Sequence, residues 1–178
     1  MKTIIVAVDS FKGSMTSSEA GNAIKNGIRD IHPDWNIEVY PVADGGEGTL
    51  EALTYHRSVK ERPCTVTGPL GDHVEASYLW YERDSERIAV IEMAQAAGLP
   101  LVPVDRRNPL YTTTYGVGEL IRDAIDQGCR KFIIGIGGSA TNDVGIGMLQ
   151  ALGYHFYDRD GRNISFGAKA VSYTHLRA

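Results

Sequence analysis

Lys131–Met148, KFIIGIGGSATNDVGIGM, is the stretch that decides the fold of this chain. It opens on an apolar run, Phe132-Ile133-Ile134, of the kind that forms a strand buried on both faces. Small residues follow (Gly135, Gly137, Gly138, Ser139, Ala140), then the polar group Thr141, Asn142 and Asp143. Ile146, Met148 and Leu149 can then start a helix. A strand that runs through glycines into a helix brings backbone N–H groups close to a ligand. The helix N-terminus adds partial positive charge suited to a phosphate or carboxylate. The plain alternative is a tight βα turn whose glycines only relieve crowding. Ser139, Thr141, Asn142 and Asp143 on one loop favour the ligand site.

Just upstream, Thr112-Thr113-Thr114 precede a helical pattern in Val117, Leu120, Ile121, Ala124 and Ile125, with Gly128 as its stop. The threonines cap that helix in the simplest reading, and the same hydroxyls could meet a substrate carboxylate. Downstream, Tyr154–Tyr157 and Ile164-Ser165 flank Asp158-Arg159-Asp160-Gly161, a hairpin turn. Farther upstream, Val59–Thr67 reads as a strand and Gly68–Asp72 as a turn. Val74–Glu82 and Arg87–Glu92 read as an antiparallel hairpin bent near Asp84-Ser85. Tyr78, Trp80 and Tyr81 are packing residues of that hairpin. Glu92 is either a ligand contact or a solvated or capping residue before a short small-residue helix. Pro100 and Pro103 mark a crossover or a domain border.

At the N-terminus, Thr3–Val8 reads as a buried strand ending at Asp9-Ser10, with Lys12 in the loop that follows. Strand ends of this kind carry ligand contacts in α/β proteins. Thr16 and Glu19 form a capping-box pair, and Ala20, Ala23, Ile24, Gly27, Ile28 and Ile31 follow at helical spacing until His32-Pro33. His32 is a helix-dipole partner or simply solvated. A second strand, Ile37–Val42, completes a βαβ opening with a parallel pair. It runs into Ala43-Asp44-Gly45-Gly46-Glu47-Gly48-Thr49 and a helix through Leu50, Ala52 and Leu53. Two carboxylates among glycines repel a bare phosphate. They make sense around Mg2+, or where one accepts a proton from an attacking hydroxyl. The alternative is that Asp44 and Glu47 only cap the helix.

The 178 residues carry 18 basic and 22 acidic side chains, a net charge of −4, and no basic run. That balance argues against nucleic acid as a partner. No apolar stretch approaches the roughly 20 residues of a membrane span, so no membrane partner is expected. Cys64 and Cys129 lack metal-ligand or redox spacing and are expected to be reduced thiols of a cytoplasmic protein. No GxxxxGK[ST] loop and no GxGxxG after a strand occurs.

Taken together, Asp9-Ser10-Phe11-Lys12, DGGEGT (Asp44–Thr49), TGPLG (Thr67–Gly71), Glu92-Met93-Ala94, the Thr112–Thr114 run and GIGGSATND (Gly135–Asp143) resemble the bacterial glycerate kinases, in the same order. One departure is Val144, where the family pattern has Gly. The resemblance implies ATP-dependent phosphorylation of D-glycerate with Mg2+, with 2-phosphoglycerate the favoured product. The alternative is a non-catalytic fragment that binds a nucleotide or sugar acid. It also implies a truncated two-domain α/β kinase. In it, a parallel Rossmann-like sheet opening with βαβ spans about residues 1–70, and the rest to 170 contributes to an inserted or interleaved second α/β domain. Residues 171–178, VSYTHLRA, read as a translated sequencing adapter outside the fold. Lys12, Asp44 and Asp143 are the expected catalytic residues, with Asp44 and Glu47 as metal ligands. Ser10, Gly45, Gly46, Thr113, Gly137, Gly138, Ser139, Thr141 and Asn142 are the expected contacts to D-glycerate and ATP. Homo-oligomerisation stays open.

Overall fold

The computed structural model describes residues 2–55 and 58–172. The chain divides into two units, Met1–Ser58 and Val59–Ala178, each with its own sheet and apolar core. The division falls ahead of the boundary expected near residue 70, because the strand after Val59 pairs with the hairpin that follows it.

Unit 1 holds β1 (Thr3–Val8), α1 (Ser17–Ile31), β2 (Asn36–Pro41) and α2 (Thr49–Thr54). The strands pair in parallel from Thr3↔Asn36 to Val8↔Pro41, as the βαβ reading requires. Glu19 N–H donates to Thr16 Oγ1 (3.2 Å) and Thr16 N–H donates to Glu19 Oε2 (2.8 Å), closing the capping box. Those Thr16 groups, the backbone N–H first, hold the Glu19 carboxyl below its ordinary range. Helix α1 lies close on β2: a Cβ at Gly21 would be forced into the Val39 side chain. Val6, Ile37 and Val39 form the core, with Ile28 and Trp35 packed against it. The apolar pattern overstated the burial. Ile5 of β1 is 65% exposed and Ile31 of α1 is 74% exposed, so β1 packs on one face and the α1 stripe is narrow. His32 stacks on Trp35 with ring centroids 3.7 Å apart.

Unit 2 carries a four-stranded sheet in the order β3 (Lys60–Thr67), β4 (His73–Arg83), β5 (Glu86–Glu92), β6 (Lys131–Gly135). The first two pairings are antiparallel and β5–β6 is parallel, so this sheet is mixed where a Rossmann-like one would be parallel throughout. Asp84 (φ 52°) and Ser85 (φ 63°) make the two-residue β4–β5 turn, both in the left-handed region that such hairpins demand. The β5–β6 crossover runs through α3 (Ala94–Ala97), three short 3-10 helices and α4 (Tyr115–Asp126). Pro100 and Pro103 sit in that crossover and mark no border. Helices α5 (Ile146–Ala151) and α6 (Ala168–Ser172) follow.

Val117, Leu120 and Ala124 of α4 pack onto Val66, Tyr78, Ala89 and Ile91 of the sheet. Gly118 sits where a Cβ would be forced into the Met148 carbonyl, which lets α4 and α5 pack at backbone distance. Phe132 and Ile134 join this core, but Ile133 is 39% exposed. As the last strand of its sheet, β6 is packed on one face and not on both. Tyr78 and Tyr81 are buried packing residues as expected, and Tyr78 Oη donates to Asp123 Oδ1 (2.8 Å). The segment around Asp158 forms one bridge, Tyr157↔Asn163, in place of paired strands. Cys64 and Cys129 are free thiols, and burial, ahead of the Asp123 charge, pushes Cys64 up to about 11. The stretch 171–178 is described only through Ser172, the end of α6; the remainder of that expectation lies outside the described residues. Among the described residues no helix is long and apolar enough to cross a membrane.

Candidate functional site

In unit 1 the C-terminal ends of β1 and β2 are fastened to the start of α1 by one side chain. Ser17 Oγ donates to the Val8 carbonyl (2.6 Å) and accepts from Val42 N–H (3.1 Å). That brings the loops after both strands together. Lys12 Nζ lies 3.9 Å from Asp44 Oδ2, with both side chains largely exposed. Asp44 Oδ1 accepts from Gly46 N–H (3.0 Å), so the carboxylate folds over its own glycine turn. Gly45 (φ 95°) and Gly48 (φ 88°) need left-handed backbone for that turn to close. The capping alternative for Asp44 and Glu47 does not hold: α2 is capped by Gly48, with no side-chain cap bond. Ser10, Lys12 and Glu47 line a cleft of about 250 Å³ together with Phe11, Met15 and Glu51.

In unit 2 the parallel strands β5 and β6 end level, Glu92 opposite Gly135. The loops that leave them are laced together: Leu99 N–H donates to the Gly138 carbonyl (2.9 Å) and Ala140 N–H to the Ala97 carbonyl (2.8 Å). Gly138 takes φ 70°. Among the described residues the N–H groups of Gly137 and Gly138 have no protein acceptor. Ser139, Thr141 and Asn142 line a second cleft, of about 350 Å³. Arg107 lines it too, a cation that no local motif marks and that sequence reasoning missed. Its only local signal is a charge beside the Asn108-Pro109 turn. Glu92 is only 4% exposed, so the solvated reading of it fails.

Asp143 and Thr113 are buried, at 1% and 2% exposure. Asp143 Oδ2 accepts from Thr114 N–H (2.9 Å), Thr114 Oγ1 (2.9 Å) and Gly147 N–H (3.2 Å), while Oδ1 accepts from Gly145 N–H (3.1 Å). Thr113 Oγ1 donates toward the same carboxylate (3.4 Å) and accepts from Tyr115 N–H (3.2 Å). Both side chains are spent on protein partners. They tie the Thr112–Thr114 segment to the first turn of α5. The threonine run therefore does more than cap α4: Thr114, the N-cap residue, gives its hydroxyl to Asp143.

The sequence profile of the glycerate kinase family matches residues 4–176. The chain belongs to the glycerate kinase family. It is 51% identical over 168 residues to a glycerate kinase of Halalkalibacterium halodurans, covering 94% of this chain and 43% of the relative. It is 50% identical to the glycerate 2-kinase of Escherichia coli, covering 95% of this chain and 44% of that one. The crystal structure of a proposed glycerate kinase 2 from Salmonella typhimurium LT2 superposes with a TM-score of 0.78 at 46% identity, covering 97% of this chain and 46% of that chain. The chain thus spans less than half the length of the glycerate kinases it matches.

The departure at Val144 from the glycerate kinase pattern has a structural cost. Val144 is 78% exposed and sits at φ 58°, where a β-branched side chain crowds its own carbonyl. Val144→Gly should stabilise the fold by about 1 kcal/mol, the relief of left-handed strain less the added freedom of glycine when unfolded. A higher urea midpoint at unchanged slope would show it, and an unchanged or lower midpoint would count against it.

Proposed function

We propose that the whole protein phosphorylates D-glycerate with ATP and Mg2+, yielding 2-phosphoglycerate. The observation that carries this reading is in unit 1, where Lys12 and Asp44 meet at 3.9 Å beside a cleft that Glu47 also lines. Phosphoryl transfer needs positioning and charge neutralisation more than covalent chemistry. Lys12 supplies a cation for a phosphate or for the glycerate carboxylate. Asp44 keeps one oxygen on its own turn and has the other 3.9 Å from Lys12 Nζ, where it is suited to accept the proton of the attacking hydroxyl.

Among the described residues no three acidic, histidine or cysteine side chains gather around a point that could hold a metal alone. A Mg2+ that arrives on ATP phosphates takes only one or two carboxylates from protein, and the exposed pair Asp44 and Glu47 fits that demand. Bound there, the ion would neutralise phosphate charge. In unit 2, the free N–H groups of Gly137 and Gly138 and the neighbouring cleft suit an oxyanion.

The test is an assay of the full-length protein with D-glycerate, ATP and Mg2+, with the phosphorylated carbon identified by phosphorus NMR. 2-Phosphoglycerate is the expected product. A 3-phosphoglycerate product would overturn the assigned position, and the absence of any phosphorylated acid would overturn the reading. The 178-residue chain, run alongside, is expected to give no turnover.

A further inference from the structure

We propose that Arg107 binds a substrate oxyanion, a carboxylate or a phosphate, in the cleft beside the glycine-rich loop of unit 2. The inference rests on the reading of the protein as a D-glycerate kinase. The cleft, about 350 Å³, is walled by Val102, Asn108, Ser139, Thr141 and Asn142, and Arg107 is the one charged residue that lines it. Its other hydroxyls are already committed. Ser139 Oγ is engaged with both Thr141 O and Thr141 N–H (each 3.2 Å), and Thr141 Oγ1 donates to the Thr112 carbonyl (2.8 Å). Asn108 Oδ1 accepts from Leu110 N–H (3.1 Å).

Arg107 is held in a different way. Its Nε donates to the Val102 carbonyl (3.2 Å), and Val102 is 1% exposed, so the guanidinium is anchored at its base to buried backbone. Among the described residues neither terminal nitrogen has a protein acceptor, so both are left to donate. No acidic side chain among the described residues pairs with Arg107. Asp143, the carboxylate next to the lining, is buried and spent on protein donors. Arg107 is otherwise exposed to solvent, and this bond fixes the orientation of its guanidinium. An anchored planar fork in a cleft without negative charge matches two oxygens of a carboxylate or phosphate, a geometry that lysine cannot reproduce.

The experiment compares Arg107→Ala and Arg107→Lys with the wild type in the full-length protein, varying D-glycerate and ATP separately. Arg107→Ala is expected to raise one KM by roughly 10- to 100-fold, with the melting temperature unchanged. A rise for D-glycerate alone identifies the carboxylate as the ligand, and a rise for ATP alone identifies a phosphate. Arg107→Lys is expected to recover only part of the loss. If neither KM moves by more than about twofold, or both rise equally at an unchanged melting temperature, the inference is overturned. Should Arg107→Ala fold poorly, phenylglyoxal labelling of the wild type decides. Protection of Arg107 by D-glycerate, ATP or inorganic phosphate supports the site, and protection by none of them removes it. A wild type without turnover would sink the kinase reading alone, because the labelling result stands apart from it.

Discussion

Asp143→Ala is expected to destabilise unit 2 by about 3–5 kcal/mol, most of the margin that holds a typical domain folded. The side chain is 1% exposed and stands where three pieces of chain meet: the Thr112–Thr114 segment, its own turn and the first turn of α5. Removing it strands the N–H groups of Thr114, Gly145 and Gly147 without their acceptor, and Thr114 and Gly147 are buried. Gly147 lies so close that a Cβ there would be forced into Thr113 Oγ1, so the carboxylate is packed tightly among its partners. Asp143→Asn keeps the volume but turns an NH2 donor toward groups that also donate, so it should fall between the two, at about 2 kcal/mol. Urea unfolding of the full-length protein gives the ranking, wild type above Asn above Ala. A wild-type midpoint for Asp143→Ala would sink this account. A wild-type midpoint for Asp143→Asn joined to a loss of turnover by orders of magnitude would return Asp143 to the reacting groups.

The same residue shows how far the sequence could be read. A polar cluster on a glycine-rich strand-to-helix turn has one local appearance whether it faces a ligand or ties the chain together. What separates the cases is the partner, and beyond the local N–H groups of Gly145 and Gly147 the Asp143 carboxylate is held by the threonine run about 30 residues upstream. Both stretches stood out in the sequence, yet nothing local says that they close on each other. By contrast α1 and the βαβ opening were legible, since the Thr16–Glu19 box and the apolar spacing act within a few residues. The β4–β5 hairpin was legible for the same reason. Burial was less so: Ile5 and Ile133 belong to apolar runs that promise two covered faces, and an outer strand covers only one. Arg107 was invisible because its meaning depends on a carbonyl five residues back and a loop more than thirty residues ahead.

Asp44→Asn offers the largest expected effect on chemistry with the smallest on stability, which makes it the sharper test of the proposed reaction. The Lys12–Asp44 pair is 3.9 Å apart with side chains 88% and 61% exposed, and so open a pair contributes little to folding. Asparagine keeps an oxygen to accept from Gly46 N–H, so the glycine turn survives the change. The melting temperature should therefore hold while turnover falls by roughly 10²- to 10⁴-fold, the range for loss of a general base. The cause of that fall can be read from two further measurements. In a base role, raising Mg2+ does not restore the rate and the KM for Mg2+ is unchanged. In a metal-holding role, excess Mg2+ recovers part of the rate and the KM for Mg2+ rises. Lys12→Ala should instead raise a KM more than it lowers kcat if the lysine mainly holds a substrate anion. Turnover of Asp44→Asn within tenfold of wild type would mean that the carboxylate only shapes its turn. The search for the proton acceptor would then move to Glu47, on the same cleft.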